Sequence, residues 1–180
     1  MPTVTCYRQG LYLVLTLALA IFKFDRMEWA LEKCTEIGID RIIPVIARRS
    51  DAHLVAACKA GKRHERWLKI VRQATEQSRR AVPPEIADAV SLKDLGEVVS
   101  AESMTRVVLA ETEEDARLGN VLQSRPGDVA LAVGPEGGWA DGELAWFLDE
   151  GWVAASLGNT ILRAETAAIV ACALVMDAVR

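Results

Sequence analysis

The sequence has little with which to build a metal site or a disulfide framework. Its four cysteines, Cys6, Cys34, Cys58 and Cys172, contain no CxxC pair, and only His53 and His64 stand beside them. That pattern excludes a zinc ribbon or finger, so no metal is expected and a reducing cytoplasm is the expected compartment. Cys34 and Cys172 read as small core residues. A basic excess is also missing. The formal net charge is −4, which excludes a protein that grips nucleic acid through its overall charge. If RNA is the substrate, its positive partners must be concentrated locally. Internal repeats, low-complexity tracts and linkers are absent, and 180 residues that are 51% hydrophobic are enough to bury a core as one domain.

Long hydrophobic runs are limited to "GLYLVLTLALAIF", residues 10–22, which follows Arg8. It falls short of the roughly 20 apolar residues of a membrane span. Its length suits the apolar part of a signal peptide, and equally a parallel strand covered on both faces, which loses its alternation. The strand is adopted, because a lone arginine is a poor charged leader and no cleavage motif with a polar mature start follows.

Downstream, "DRMEWALEKCTEIG" carries Met27, Ala30, Leu31, Cys34 and Ile37 at helical spacing, with Gly38 placed to stop the helix. "RIIPVIA", 41–47, is a β-branched strand in which Pro44 suggests an irregular or terminal position, and the basic loop "RRSD" follows. Residues 62–80 put Trp67, Ile70, Val71 and Ala74 on one stripe and crowd Lys and Arg elsewhere. Such charge ordinarily means a solvated face. Arg79 and Arg80 end this segment where the chain turns, placed to meet an anion. A short helix "SLKDLGEVV", a strand "RVVLAE" and a polar helical stretch "EEDARLGNVLQ" come next. The turn "RPGD", the strand "VALAV", the loop "GPEGGWAD", the helix "GELAWFLDE", the strand "VAASL" and a last helix complete the chain. Strands alternating with helices predict a parallel α/β sheet.

Ligands of open α/β sheets bind beyond the carboxyl ends of the strands, which directs attention to the loops after "VVLAE", "VALAV" and "VAASL". The second loop, Gly134 to Gly138, holds three glycines and a proline. Glycine allows positive φ and removes side chains, so peptide groups can touch a flat ligand; a tight strand-to-helix turn is the plainer meaning. Neither GxxxxGK[ST] nor GxGxxG is present, which argues against a P-loop enzyme and a dinucleotide dehydrogenase. The third loop repeats strand end plus glycine at Leu157-Gly158 and continues into "ILRAET". Arg163 there can pair with a phosphate or stabilise negative charge in a transition state. Glu165 can cap backbone amides or hold Arg163.

These residues resemble the RsmE family of 16S rRNA (uracil-N3)-methyltransferases, of the SPOUT superfamily. The resemblance rests on "DRMEWALEKCTEIGIDRIIPVIARRSD", "HERWLKIVRQATEQSRRAVPPEI", "VVLAETEE" and the pair "AVGPEGGWADGEL" and "SLGNTILRAETAAIVA", in order along the chain. It implies a SPOUT-type α/β fold with a mostly parallel sheet and a deep C-terminal trefoil knot, which periodicity alone does not foretell. It implies a homodimer and S-adenosyl-L-methionine as cofactor, held by Leu109, Ala110 and Glu111, by Val133 with Gly134, Pro135, Glu136, Gly137 and Gly138, and by Leu157, Gly158, Ile161 and Leu162. The substrate implied is 16S rRNA or the assembled small ribosomal subunit, with no membrane partner. Arg163 is then the candidate catalytic residue, Arg80 a second one reaching across the dimer, and Glu165 a candidate base or structural partner. The alanines of the last helix permit the close backbone approach that a knot and a subunit contact require. Family members also carry an N-terminal PUA-like β-barrel. Residues 1–180 are therefore expected to be a single methyltransferase domain with 1–15 as the remnant of that barrel, from a truncated start or a form made of the catalytic domain alone. A binding module that lost methyl transfer along with the barrel is the alternative. Arg79 stands where relatives tend to carry glycine.

Overall fold

Every residue of β1 (Leu15–Ala20) is buried, and the strand lies in the middle of a parallel sheet. The computed structural model describes residues 13–99, 104–123 and 127–178. Cys6, Arg8, the first residues of the apolar run and part of "RPGD" lie outside them. From β1 the chain runs through α1 (Phe24–Ile37), β2 (Arg41–Ile46), α2 (Ala52–Lys59), α3 (Lys62–Gln77), β3 (Glu85–Ile86), β4 (Val90–Ser91) and α4 (Leu92–Val98). It continues through β5 (Thr105–Leu109), α5 (Leu118–Gln123), β6 (Val129–Val133), α6 (Asp141–Asp149), β7 (Val153–Ala155) and α7 (Ala164–Ala178). The sheet order is β3-β2-β1-β6-β5-β7, with β4 also on β2, and every described pairing is parallel.

The unbroken apolar strands reflect two covered faces. Leu15, Leu17 and Leu19 of β1 and Val129, Leu131 and Val133 of β6 point into a core with Met27, Leu31, Trp67 and the alanines of α7. Ala18, Ala20, Ala130 and Ala132 point the other way, where their small size makes room for Trp139, Phe147 and Trp152. Phe147 meets the rings of Trp139, Trp146 and Trp152 edge-on at 4.8, 5.2 and 5.0 Å. Asp40 Oδ2 and Asp128 Oδ1 accept from the amides of Leu15 and Val14, each at 2.9 Å, and fix where β1 starts.

Three expectations need correction. Pro44 sits inside β2, opposite Leu19, rather than at an end. Its ring nitrogen faces the β3 and β4 side, in the gap between Ile42, the last residue paired with β3, and Val45, the first paired with β4, so no ladder bond is lost. The polar stretch 113–123 is helical only from Leu118; its first half is a loop gathered by Glu113. The charges of α3 are also only partly a solvated face, since Arg63 and Arg66 bond Glu28 of α1 at 3.2 and 2.6 Å.

Helix α7 crosses α1 through buried Ala164, Ala168, Ala171 and Cys172. Cys34 and Cys172 are fully buried against each other, and the hydrogen bond between them, together with burial, pushes the Cys172 thiol up. Gly38 ends α1 at φ 124, and a Cβ there would lie 2.9 Å from Met176 Cε, so this position needs glycine for its backbone and for its space.

Candidate active site

Strands β5, β6 and β7 end side by side, and their loops enclose a cleft of about 260 Å³. Leu109, Ala110, Glu111 and Thr112 form one wall, Val133 to Trp139 a second, and Ala155 to Leu162 a third, with Ala164 and Ala167 of α7 behind. Every residue expected to hold the cofactor thus lies on the cleft. The second wall is also a tight turn: the Gly138 amide donates to the Pro135 carbonyl at 2.8 Å, and Gly138 has φ 68. Both meanings of the glycine loop therefore hold, turn and bare peptide surface together. A Cβ on Gly138 would meet nothing within 4 Å, whereas one on Gly134 would meet Trp139 at 3.3 Å.

Two arginines not anticipated from the sequence brace this loop. Arg49, from the "RRSD" segment beyond β2, donates to the carbonyls of Gly137 at 2.5 Å and Trp139 at 3.3 Å, and a Cβ on Gly137 would touch its stem at 3.4 Å. Arg26 of α1 bonds Glu136 at 2.6 Å. Glu143 adds a third tie, accepting from the amides of Arg48 at 2.7 Å and Ala140 at 2.8 Å. "RRSD" follows a strand and so already sat at a tip, which is the signal that would have marked Arg49.

The third wall is held from outside. The Ser156 amide donates to the Ala116 carbonyl at 2.8 Å, and the Leu118 amide donates to the Ser156 carbonyl at 3.0 Å. The Ala110 amide donates to the Ala155 carbonyl at 3.0 Å on the other side. The tip of β7 therefore passes between 110 and 116–118, two segments that precede it in sequence. Glu113 organises the intervening loop, and the amides of Ala116 and Asp115 that donate to it hold its carboxyl below the usual range.

The three candidate catalytic residues fall in different places. Arg163 is exposed, stands between the cleft-lining Leu162 and Ala164, and its guanidinium carries no ion pair or hydrogen bond among the described residues. Glu165 is only 4% exposed. It neither bonds Arg163 nor accepts an amide at the start of α7, correcting both roles weighed for it. Its neighbour is Arg26 Nε, 3.8 Å from Oε1, while Oε2 is buried without a partner. Arg80 donates to the Thr35 carbonyl at 2.7 Å and lies 3.8 Å from Asp40, at the start of the strands and so at the opposite end of the sheet from the cleft. Any contact it makes with a cleft is with that of another subunit. Arg79, at φ 59, holds the left-handed conformation for which glycine is the usual residue.

A parallel α/β domain whose glycine-bearing strand tips form one cleft closed by a small-residue helix is the architecture of an RNA methyltransferase domain, and that family matches residues 10–176. The ribosomal RNA small subunit methyltransferase E of Mycobacterium bovis is 38% identical over 158 residues, which are 87% of this chain and 60% of that protein. The Bacillus subtilis protein of the same name is 35% identical over 83% of this chain and 60% of its own length. A crystal structure of ribosomal RNA small subunit methyltransferase E from Neisseria gonorrhoeae bound to S-adenosyl methionine superimposes with a TM-score of 0.81 at 33% identity, over 89% of this chain and 64% of that one. The chain belongs to the RNA methyltransferase domain family, has a SPOUT-type α/β fold, and is similar to the ribosomal RNA small subunit methyltransferase E proteins over the part of their length that it spans. It spans about 60% of the length of the curated relatives named here.

Proposed function

We propose that this chain is an S-adenosylmethionine-dependent methyltransferase domain acting on N3 of a uridine in 16S rRNA. The observation that carries the reading is the cleft, where the loops after three adjacent strand tips, two of them bearing glycine, enclose one ligand-sized space. The cofactor suits these residues on chemical grounds. The loops at 109–112, 133–138 and 157–162 are the segments that would hold its adenine and ribose, and open space beside Gly138 accepts a closely approaching ligand. When bound, S-adenosylmethionine supplies a methyl group made electrophilic by its sulfonium.

The chain's own residues do the rest. Arg26 and Arg49 keep the second loop in one shape, so binding does not have to order it. Uracil N3–H is a weakly acidic imide, and negative charge grows on the ring as its proton leaves. Arg163, exposed between the cleft-lining Leu162 and Ala164 and without a counter-ion among the described residues, is assigned to stabilising that charge or fixing the nucleotide's phosphate. Glu165, buried and turned to Arg26, is assigned a supporting role rather than that of base.

The same reading includes a homodimer in which Arg80 serves the neighbouring cleft, and action in the cytoplasm. Among the described residues no helix is long and apolar enough to cross a membrane. It also includes the C-terminal knot, for which the passage of Ser156 between 110 and 116–118 is the supporting geometry. The test is transfer of labelled methyl from S-adenosylmethionine to small ribosomal subunits lacking the modification, with naked 16S rRNA in parallel. Label at uridine N3 supports the proposal; cofactor binding with no label in either substrate overturns it.

A further inference from the structure

The walls of the cleft are held unequally. The second is tied at several points, by the Gly138 amide on the Pro135 carbonyl, by Arg49 on the carbonyls of Gly137 and Trp139, and by Arg26 on Glu136. The third is fixed at its ends, where Ser156 pairs with Arg117 in a parallel bridge and α7 takes over at Ala164. Between those ends, no backbone group from Leu157 to Leu162 is hydrogen-bonded among the described residues. One side chain spans the gap. Arg117 Nη2 donates to Asn159 Oδ1 at 2.5 Å, and a Cβ on Gly158, whose φ is 152, would touch Arg117 Nη1 at 3.4 Å. Arg117 does not depend on the loop for its own place. Its carbonyl accepts from the amides of Asn120 and Val121 at 3.0 and 3.1 Å, and Glu113 gathers the segment before it. A guanidinium on a fixed backbone therefore lies against Gly158 and ends on Asn159, two residues that line the cleft.

We propose that Arg117 and Asn159 form a clasp that sets the third loop in its cofactor-binding shape, with Arg117 as a positioning residue that does not itself line the cleft. This rests on the cofactor reading above and deepens it. Residues 157–162 would otherwise be ordered by the ligand, and ordering subtracts from affinity. The fraction of molecules whose loop is already in shape multiplies the observed affinity, so a clasp that raises this fraction tightens binding without touching the ligand. The single tie also makes the third wall the side of the cleft that yields when donor enters and product leaves, while the second wall keeps one shape.

The experiment measures the dissociation constant of S-adenosylmethionine by calorimetry on the whole chain, Arg117→Ala, Asn159→Ala and the double variant. Each single change is expected to weaken binding about fivefold, within the range of one hydrogen bond. The double variant is expected to bind no more weakly than the weaker single, because the first change already opens the clasp. Melting temperature should stay that of the unaltered protein, since both side chains are exposed. With small ribosomal subunits as acceptor, Arg117→Ala should raise KM for the donor and keep kcat at saturating donor. If Arg117→Ala does not fold, Asn159→Asp carries the test beside Asn159→Ala: it keeps an acceptor for the guanidinium, so it should hold the affinity that Asn159→Ala loses. Singles that bind within about twofold of the unaltered protein, losses that add in the double variant, equal losses in Asn159→Asp and Asn159→Ala, or a melting temperature that falls in step with affinity each overturn the clasp and leave the cofactor reading standing. No donor binding by the unaltered protein overturns both.

Discussion

Arg163 is exposed between two cleft-lining residues and has no partner among the described residues, and that combination makes it separable from the fold. Replacing it with alanine is expected to change stability by no more than about 0.5 kcal/mol, as at other exposed positions. Its loss from the transition state should lower kcat on ribosomal subunits by about 100- to 1000-fold. Donor affinity should change little, since Arg163 is not among the residues that line the cleft; turnover within tenfold of the unaltered protein would remove the assignment. Gly134→Val acts differently from a simple block of the cleft. Its Cβ would press on the Trp139 ring and amide at 3.3 Å, so the loop must shift, and donor affinity and melting temperature should fall together. The cysteines offer a third check. Burial pushes the Cys58 thiol up to about 11, and the contact with Cys34 together with burial raises Cys172, so neither supplies thiolate at neutral pH. Iodoacetamide mapped by mass spectrometry should label Cys34, Cys58 and Cys172 only after unfolding. At this scale the second and third walls of the cleft were legible because glycines at strand ends have a local meaning. Arg26 and Arg49 were not, because their partners lie 110 and 88 residues away in sequence.

Among the elements, helix and strand positions followed from periodicity wherever one face or both faces are buried, as in α1, α3, β1 and β6. Legibility failed where a side chain, rather than a pattern, decides. Glu113 turns half of a polar helical stretch into a loop by accepting two backbone amides, each at 2.9 Å. Its carboxyl is held below the ordinary range in the folded chain, so the order it confers is present at neutral pH and is lost as pH falls through that lowered value. The amide resonances of Asp115 and Ala116 should titrate with a midpoint below that of an ordinary glutamate; a midpoint at or above it would contradict the assignment. Pro44 shows the reverse case, a strand breaker tolerated because its nitrogen faces a gap between two short strands. The junction of α1 and α7 gives a stability test. Gly38→Ala must hold φ near 124 and push Met176 aside, and should cost at least about 1 kcal/mol in denaturant unfolding.

For the molecule as a whole, the net charge of −4 conflicts with RNA binding only if charge is averaged. Lys59, Lys62, Arg66, Lys69 and Arg72 are exposed along α2 and α3. Affinity for rRNA should therefore fall steeply with salt as phosphate contacts are screened, and donor affinity much less so. The sheet class was legible from alternating strands and helices. The passage of the β7 tip between two earlier segments was not, because threading leaves no periodic trace in a sequence. All of these expectations meet at one place, the tips of β5, β6 and β7, of which the last two bear glycine. A crystal structure of this chain grown with S-adenosylmethionine tests that place most directly. Density for the donor against 109–112, 133–138 and 157–162 is the expected result; density elsewhere, or none at saturating donor, would contradict it.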